Sequence, residues 1–144
     1  MWIAFAISAA IVWGLDYTLA ERILLHKISP YTLISLQMLV GATVFSCIGF
    51  NTQLKQDLTV IIQDRQLLFL LIACIITFNA GNLLIFLSIK ASNATFAAIL
   101  ELCYPLFTIL FTWLFFRVSH MSPGVMIGSV FIFTGIFLIF RFGH

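Results

Sequence analysis

Between Ala91 and Phe116 the chain runs almost wholly apolar, yet it carries a carboxylate at Glu101 and a helix breaker at Pro105. Proline has no N–H to offer the carbonyl of residue i−4, and the carbonyl that loses this helical donor is that of Glu101. Side chain and backbone are therefore polar at one level. If the run spans a bilayer, its centre falls near Pro105 and Glu101 lies roughly 6 Å from the midplane. An acid at mid-helix costs about 3 kcal/mol, whereas each Leu, Ile or Phe returns about 0.3 to 0.6 kcal/mol. Ala94 to Phe116 holds twelve such residues, so insertion wins by about 1 to 4 kcal/mol. The segment spans, but Glu101 must face protein or water rather than lipid. Ala94, Ala97, Glu101, Tyr104, Thr108 and Thr112 recur at steps of three and four and supply that face. Glu101 reads either as a hydrogen-bonded group in a static bundle or as a functional acid, the default for ionisable groups inside a membrane.

The rest of the chain has the same character, with 62% hydrophobic and 8% charged residues and a mean hydropathy of +1.16. No soluble domain is built this way, and the composition implies an all-α integral membrane protein. A net charge of +2, dispersed along the chain, excludes nucleic acid as a partner. Cys47, Cys74 and Cys103 lie inside apolar runs without paired or metal-ligand spacing, so they read as small core residues. No metal or cofactor is expected. The sequence has no HExxH, no nucleophile with a histidine partner and no midplane cluster of metal ligands, which argues against an enzyme. The N-terminus starts Met-Trp-Ile-Ala without a basic stretch and leads into Asp16 and Glu21, as in a retained span rather than a signal peptide.

Five transmembrane helices follow from the pattern, at about 2–25, 31–50, 67–89, 94–116 and 123–140, within one domain covering 1–144. In the first, Ala9, Trp13, Asp16 and Ala20 share a face, where Asp16 is either functional or placed to snorkel or cap at the interface. Ser29-Pro30 pairs a hydroxyl cap with proline at the first helical position and opens the second span, whose inward face holds Gln37 and Gly41. Gln37 also suits simple interhelical hydrogen bonding. Between Asn51 and Gln66, Leu54, Leu58 and Ile61 oppose Gln53, Lys55 and Asp57, which predicts a short interfacial helix over about 52–64. The third span places Asn79, Asn82, Phe86 and Lys90 on one stripe. Its two amides could bind a solute or hydrogen-bond neighbouring helices. The tight link Lys90-Ala91-Ser92-Asn93 predicts antiparallel third and fourth spans, with Asn82 and Glu101 directed toward one cavity. Ser122-Pro123 repeats the helix-start signal, and Gly124, Gly128 and Gly135 line one side of the fifth span, a spacing that allows close helix packing.

Basic residues give almost no instruction about orientation. Lys55, Arg65 and Arg117 fall on one side, and Arg22, Lys27, Lys90 and Arg141 on the other. Three against four permits insertion both ways, and the two orientations could pair as antiparallel copies.

Trp13-Gly14, Ser29-Pro30, the run LSIKASNATFAAILELCYPLFTILF and the pair Gly128 and Gly135 occur in an order that resembles the EamA-like unit of the drug/metabolite transporter superfamily. The resemblance covers nearly the whole chain, and its most specific part is Lys90, Ala91, Ser92 and Pro105. It implies half of an inverted-repeat, ten-helix transporter fold, with a substrate cavity formed mainly by the first four helices and the fifth supporting assembly. A lone half would pair with an identical chain, as an antiparallel homodimer, or with a paralogous half. Two positions depart from the pattern. Gln37 stands where a basic residue is common, and the acid usual after the fourth helix falls near Ser119, where this chain has Arg117 and His120.

The expected function is secondary transport of small metabolites, amino acids or drug-like solutes by alternating access, in the inner or plasma membrane. Glu101 would be the proton- or cation-sensitive group. Asp16, Gln37, Asn79 and Asn82 would contribute polar contacts, and Trp13 and Tyr104 would shape the cavity or stack on the solute. The alternative is an accessory or scaffold subunit of a heteromeric transporter or lipid-carrier translocase. Such a subunit needs the glycine face but no water-accessible Glu101.

Overall fold

A computed structural model describes residues 1–50, 54–118 and 122–142. Asn51, Gln53, Ser119 and His120, named above, lie outside the described residues. All regular structure among the described residues is helical: α1 Trp2–Leu25, α2 Pro30–Phe50, α3 Leu54–Gln63, α4 Arg65–Ala91, α5 Ala94–Glu101, α6 Tyr104–Phe116 and α7 Pro123–Phe142. Five stretches are long and apolar enough to cross a membrane: α1, α2, α4, α5 together with α6, and α7.

The helix boundaries have local causes. Ser29 Oγ accepts from the Tyr31 N–H at 3.3 Å, and Ser122 Oγ from the Val125 N–H at 3.3 Å, so each Ser-Pro pair caps the helix it opens. Asp64 caps α4, accepting from the N–H groups of Gln66 at 2.8 Å and Leu67 at 3.2 Å. That cap starts α4 at Arg65, two residues before the expected boundary. Lys27 and Arg117 take the left-handed conformation, φ 64° and 55°, where α1 and α6 give way to the next turn.

Hydroxyls inside the spans do not oppose insertion. Thr18, Ser35, Thr43, Thr77, Thr108, Ser129 and Thr134 each donate to the carbonyl four residues back, at 2.7 to 3.0 Å. No hydroxyl proton in that set is left facing hydrocarbon unpaired.

The chain forms two compact units, Met1–Ala94 and Thr95–His144. In the first, α4 is the central element and packs against α1, α2 and α3, while α3 also packs against α2. Tyr17, Ala20, Leu24, Leu33, Phe86 and Ile89 are buried. They belong to the end of α1, the start of α2 and the end of α4, which lie on one side of the membrane. The first unit is therefore tightly packed toward that side and looser toward the other. Its short helix α3, Leu54–Gln63, falls on the amphipathic segment read above.

In the second unit the fourth span is broken where Pro105 requires it. Leu102 and Cys103 turn back to the carbonyls of Ile99 and Leu100, both at 3.2 Å. The chain tightens to i−3 bonding and resumes as α6, with Pro105 in its first turn. Glu101 ends α5. Along α6, Phe107, Phe111 and Phe115 stack with ring centroids 6.3 and 5.7 Å apart.

Candidate functional site

The looser part of the first unit holds an open cavity of about 800 Å³, lined by α1, α2, α4 and the first residue of α3. Most of its wall is apolar. Five polar side chains enter it: Asp16 from α1, Gln37 and Ser46 from α2, and Asn79 and Asn82 from α4. A volume of this size, with a few placed polar groups in an apolar wall, matches the usual anatomy of a small-molecule site.

Asp16 and Gln37 form the centre of the polarity. Gln37 Nε2 donates to Asp16 Oδ1 at 2.9 Å, linking α1 to α2. Asp16 is half-buried and, among the described residues, is the sole acid or base in the cavity wall. Trp13 lies one turn before it on α1 and packs edge-on against Tyr17, with centroids 5.8 Å apart at 66°. That contact holds the indole against a buried ring, so one wall of the cavity is an ordered aromatic surface.

On α4, Asn79 Nδ2 donates to the Ile75 carbonyl and Asn82 Nδ2 to the Phe78 carbonyl, both at 2.8 Å. A carboxamide has two donors and an acceptor oxygen, so each of these bonds uses only part of its capacity. The remaining capacity is carried on the cavity side of α4, since both residues line it. Gly41 also lines the cavity, and a Cβ built there would meet no atom within 4 Å.

The structure thus brings together Trp13, Asp16, Gln37, Asn79 and Asn82. Glu101 and Tyr104 belong to the second unit, where they flank the break between α5 and α6. Gly124, Gly128 and Gly135 share one face of α7, and a Cβ at Gly128 or Gly135 would meet nothing within 4 Å.

Sequence reasoning missed the Asp16–Gln37 pair, because each residue was read on its own helix. It also missed Phe45 and Phe78 in the wall. Phe45 continues the i+4 ridge Gln37–Gly41, and Phe78 stands four residues before Asn82, so helical spacing could have found both. Glu21 enters the sequence reading only as a sign that the first run is a retained span. Its Oε2 accepts from the Ala94 N–H at 3.1 Å, a carboxylate on the first backbone donor of a helix.

A family model for EamA-like transporters matches residues 1–141. The chain belongs to the EamA-like transporter family. This EamA-like protein is accordingly a multi-pass membrane transporter of the drug/metabolite type, and its family is generally non-enzymatic. Comparison with curated proteins and with solved structures gives no significant match. Among the described residues no group of three or more His, Cys, Asp and Glu is placed to hold a metal ion.

Proposed function

We propose that this EamA-like transporter carries a small metabolite, amino acid or drug-like solute by alternating access, with the α1–α2–α4 cavity as its binding site. The observation that carries the reading is the Asp16–Gln37 pair, set in a mostly apolar cavity whose wall also holds the amides of Asn79 and Asn82. A carboxylate held this way can exchange a proton for a solute's positive charge or donor group when the cavity opens to water. Trp13 supplies a face for stacking or cation–π contact.

Glu101 is the second coupling candidate, with Tyr104 beside it. A helix broken at membrane depth is a common way to place polar backbone beside a solute or ion, and the Pro105 break falls at Glu101. Pairing of two five-helix units completes the site, either as an antiparallel homodimer or with a paralogous half. The glycine face of α7 supports that assembly.

Uptake of labelled amino acids and aromatic amines into proteoliposomes under an imposed pH gradient tests the assignment. Asp16→Asn keeps the Gln37 hydrogen bond available and is expected to abolish the response to the gradient. Glu101→Gln, which keeps the fold through its isosteric amide, is expected to do the same if both acids couple. Full gradient-driven uptake by Asp16→Asn would remove the cavity acid from the mechanism and leave Glu101 alone.

A further inference from the structure

The cavity has a second hollow beside it, on the other side of the α2 ridge that carries Gly41. On α2, Gln37, Gly41 and Phe45 follow one another at i+4 and form one ridge, while Leu36, Val40 and Val44 form the next. A second hollow, an apolar groove of about 510 Å³, runs along these two ridges. The cavity and the groove share Gln37, Gly41 and Phe45. The first ridge is thus the common wall of both, and its middle position carries no side chain.

The ridge ends, Gln37 and Phe45, are about 12 Å apart along the helix, so the gap over Gly41 extends about 6 Å either way. A Cβ at Gly41 would find no atom within 4 Å, which is beyond the 3.5 to 4.0 Å of carbon–carbon contact. A methylene chain can therefore lie across the glycine. Gln37 is drawn toward α1 by its bond to Asp16, so it does not fold back over the opening.

The two compartments differ in chemistry. The groove is lined by aliphatic and aromatic side chains apart from Gln37, whereas the cavity contains Asp16, Ser46 and the three carboxamides of Gln37, Asn79 and Asn82. We infer that Gly41 is a lateral opening through which a single-chain amphiphile binds, its amine head at Asp16 in the cavity and its hydrocarbon tail over Gly41 in the α2 groove. The inference rests on the cavity being the solute site and adds the class of solute and its route. Asp16 sets the head, because an ammonium meets a carboxylate there and an anionic head would meet no cation among the described residues of the wall. The groove sets the tail. Lipid is as apolar as the groove, so the tail gains little by leaving one for the other. What the opening supplies is continuity, since the head reaches polar groups without the tail ever crossing water.

The test measures saturable binding of labelled dodecylammonium and butylammonium to the protein in phosphatidylcholine nanodiscs, with empty discs subtracted. The expected result is a dodecyl-to-butyl affinity ratio of about tenfold or more. Gly41→Leu and, separately, Val44→Phe should each cut that ratio to near unity. Neither added side chain replaces a packed contact, so monodispersity on size exclusion should match the wild type. Asp16→Asn should weaken both probes without changing the ratio. A ratio near unity in the wild type, a ratio unaffected by both groove variants, or dodecyl sulfate binding as tightly as dodecylammonium would each overturn the lateral route. Butylammonium binding that Asp16→Asn weakens would survive those results and keep the cavity as a solute site. Butylammonium binding indifferent to Asp16→Asn would remove the cavity reading, and the opening with it. A second copy seated on the groove, seen as cross-linking between Val40→Cys chains lacking other cysteines, would also overturn the proposal.

Discussion

A carboxylate and a carboxamide 2.9 Å apart on adjacent helices give position 37 a consequence that composition does not show. A hydrogen bond to a charged partner contributes about 1.5 to 3 kcal/mol, and a donor deleted from a half-buried acid forfeits it. Gln37→Leu is expected to weaken amine binding in the cavity about tenfold or more by leaving Asp16 without its orienting donor, with little change in expression. Gln37→Lys, which supplies the basic residue common at this place in the resembling family, should be more severe. Its ammonium would ion-pair with Asp16 and occupy the place of a cationic head. Equal binding by wild type and the lysine variant, in the nanodisc assay, would show that Asp16 does not meet the solute's charge. The polarity of Asp16, Gln37, Asn79 and Asn82 was readable from sequence, because each interrupts an apolar run at helical spacing. Their grouping was not, since a helix face fixes direction about its own axis and says nothing of which neighbour it meets. Glu21 was hidden for a related reason: its partner is a backbone N–H at Ala94, and no side-chain pattern marks a backbone donor.

Among the elements, every span was readable, and the differences lie at the caps. Ser29-Pro30 and Ser122-Pro123 announce their helices because the hydroxyl and the proline both act locally. Asp64 displaced the start of α4 by making the charged residue Arg65 helical, which an apolar-run reading excludes by construction. The Pro105 break was read from the missing N–H alone, and the i−3 bonds of Leu102 and Cys103 are how the chain absorbs it. On α7 the small residues remain unfilled, as a Cβ at Gly128 or Gly135 would touch nothing within 4 Å. The proposal that this face packs against a second unit therefore makes an asymmetric prediction. Gly128→Leu should reduce the assembled fraction in membranes while leaving the single chain folded, because its side chain enters space that is empty in one chain and contested in a pair. Ile132→Leu, a volume-conserving change, should assemble as the wild type does. Equal cross-linking yields for the two variants would turn the glycine face toward lipid.

For the whole molecule, orientation rests on few charges, and the structure shows how several are held. Lys55 lies over the Phe50 ring at 5.2 Å, Arg117 over Trp113 at 5.5 Å and Arg141 over Phe142 at 5.7 Å. Each cation is thus kept at the end of an apolar helix, where basic residues count toward topology. With Lys55, Arg65 and Arg117 opposed by Arg22, Lys27, Lys90 and Arg141, neither side holds a decisive excess. Reporters fused after residue 142 are expected to be found in both compartments. Gln56→Lys together with Gln63→Lys, both on exposed positions of α3, reverses the imbalance without touching a span and should shift the population so that α3 faces the cytoplasm. If transport requires oppositely oriented units, the shifted protein should lose uptake, and co-expression with a variant biased the other way should restore it. Full uptake by a population held in one orientation would exclude the antiparallel pair and require a parallel assembly or a partner unit of opposite orientation.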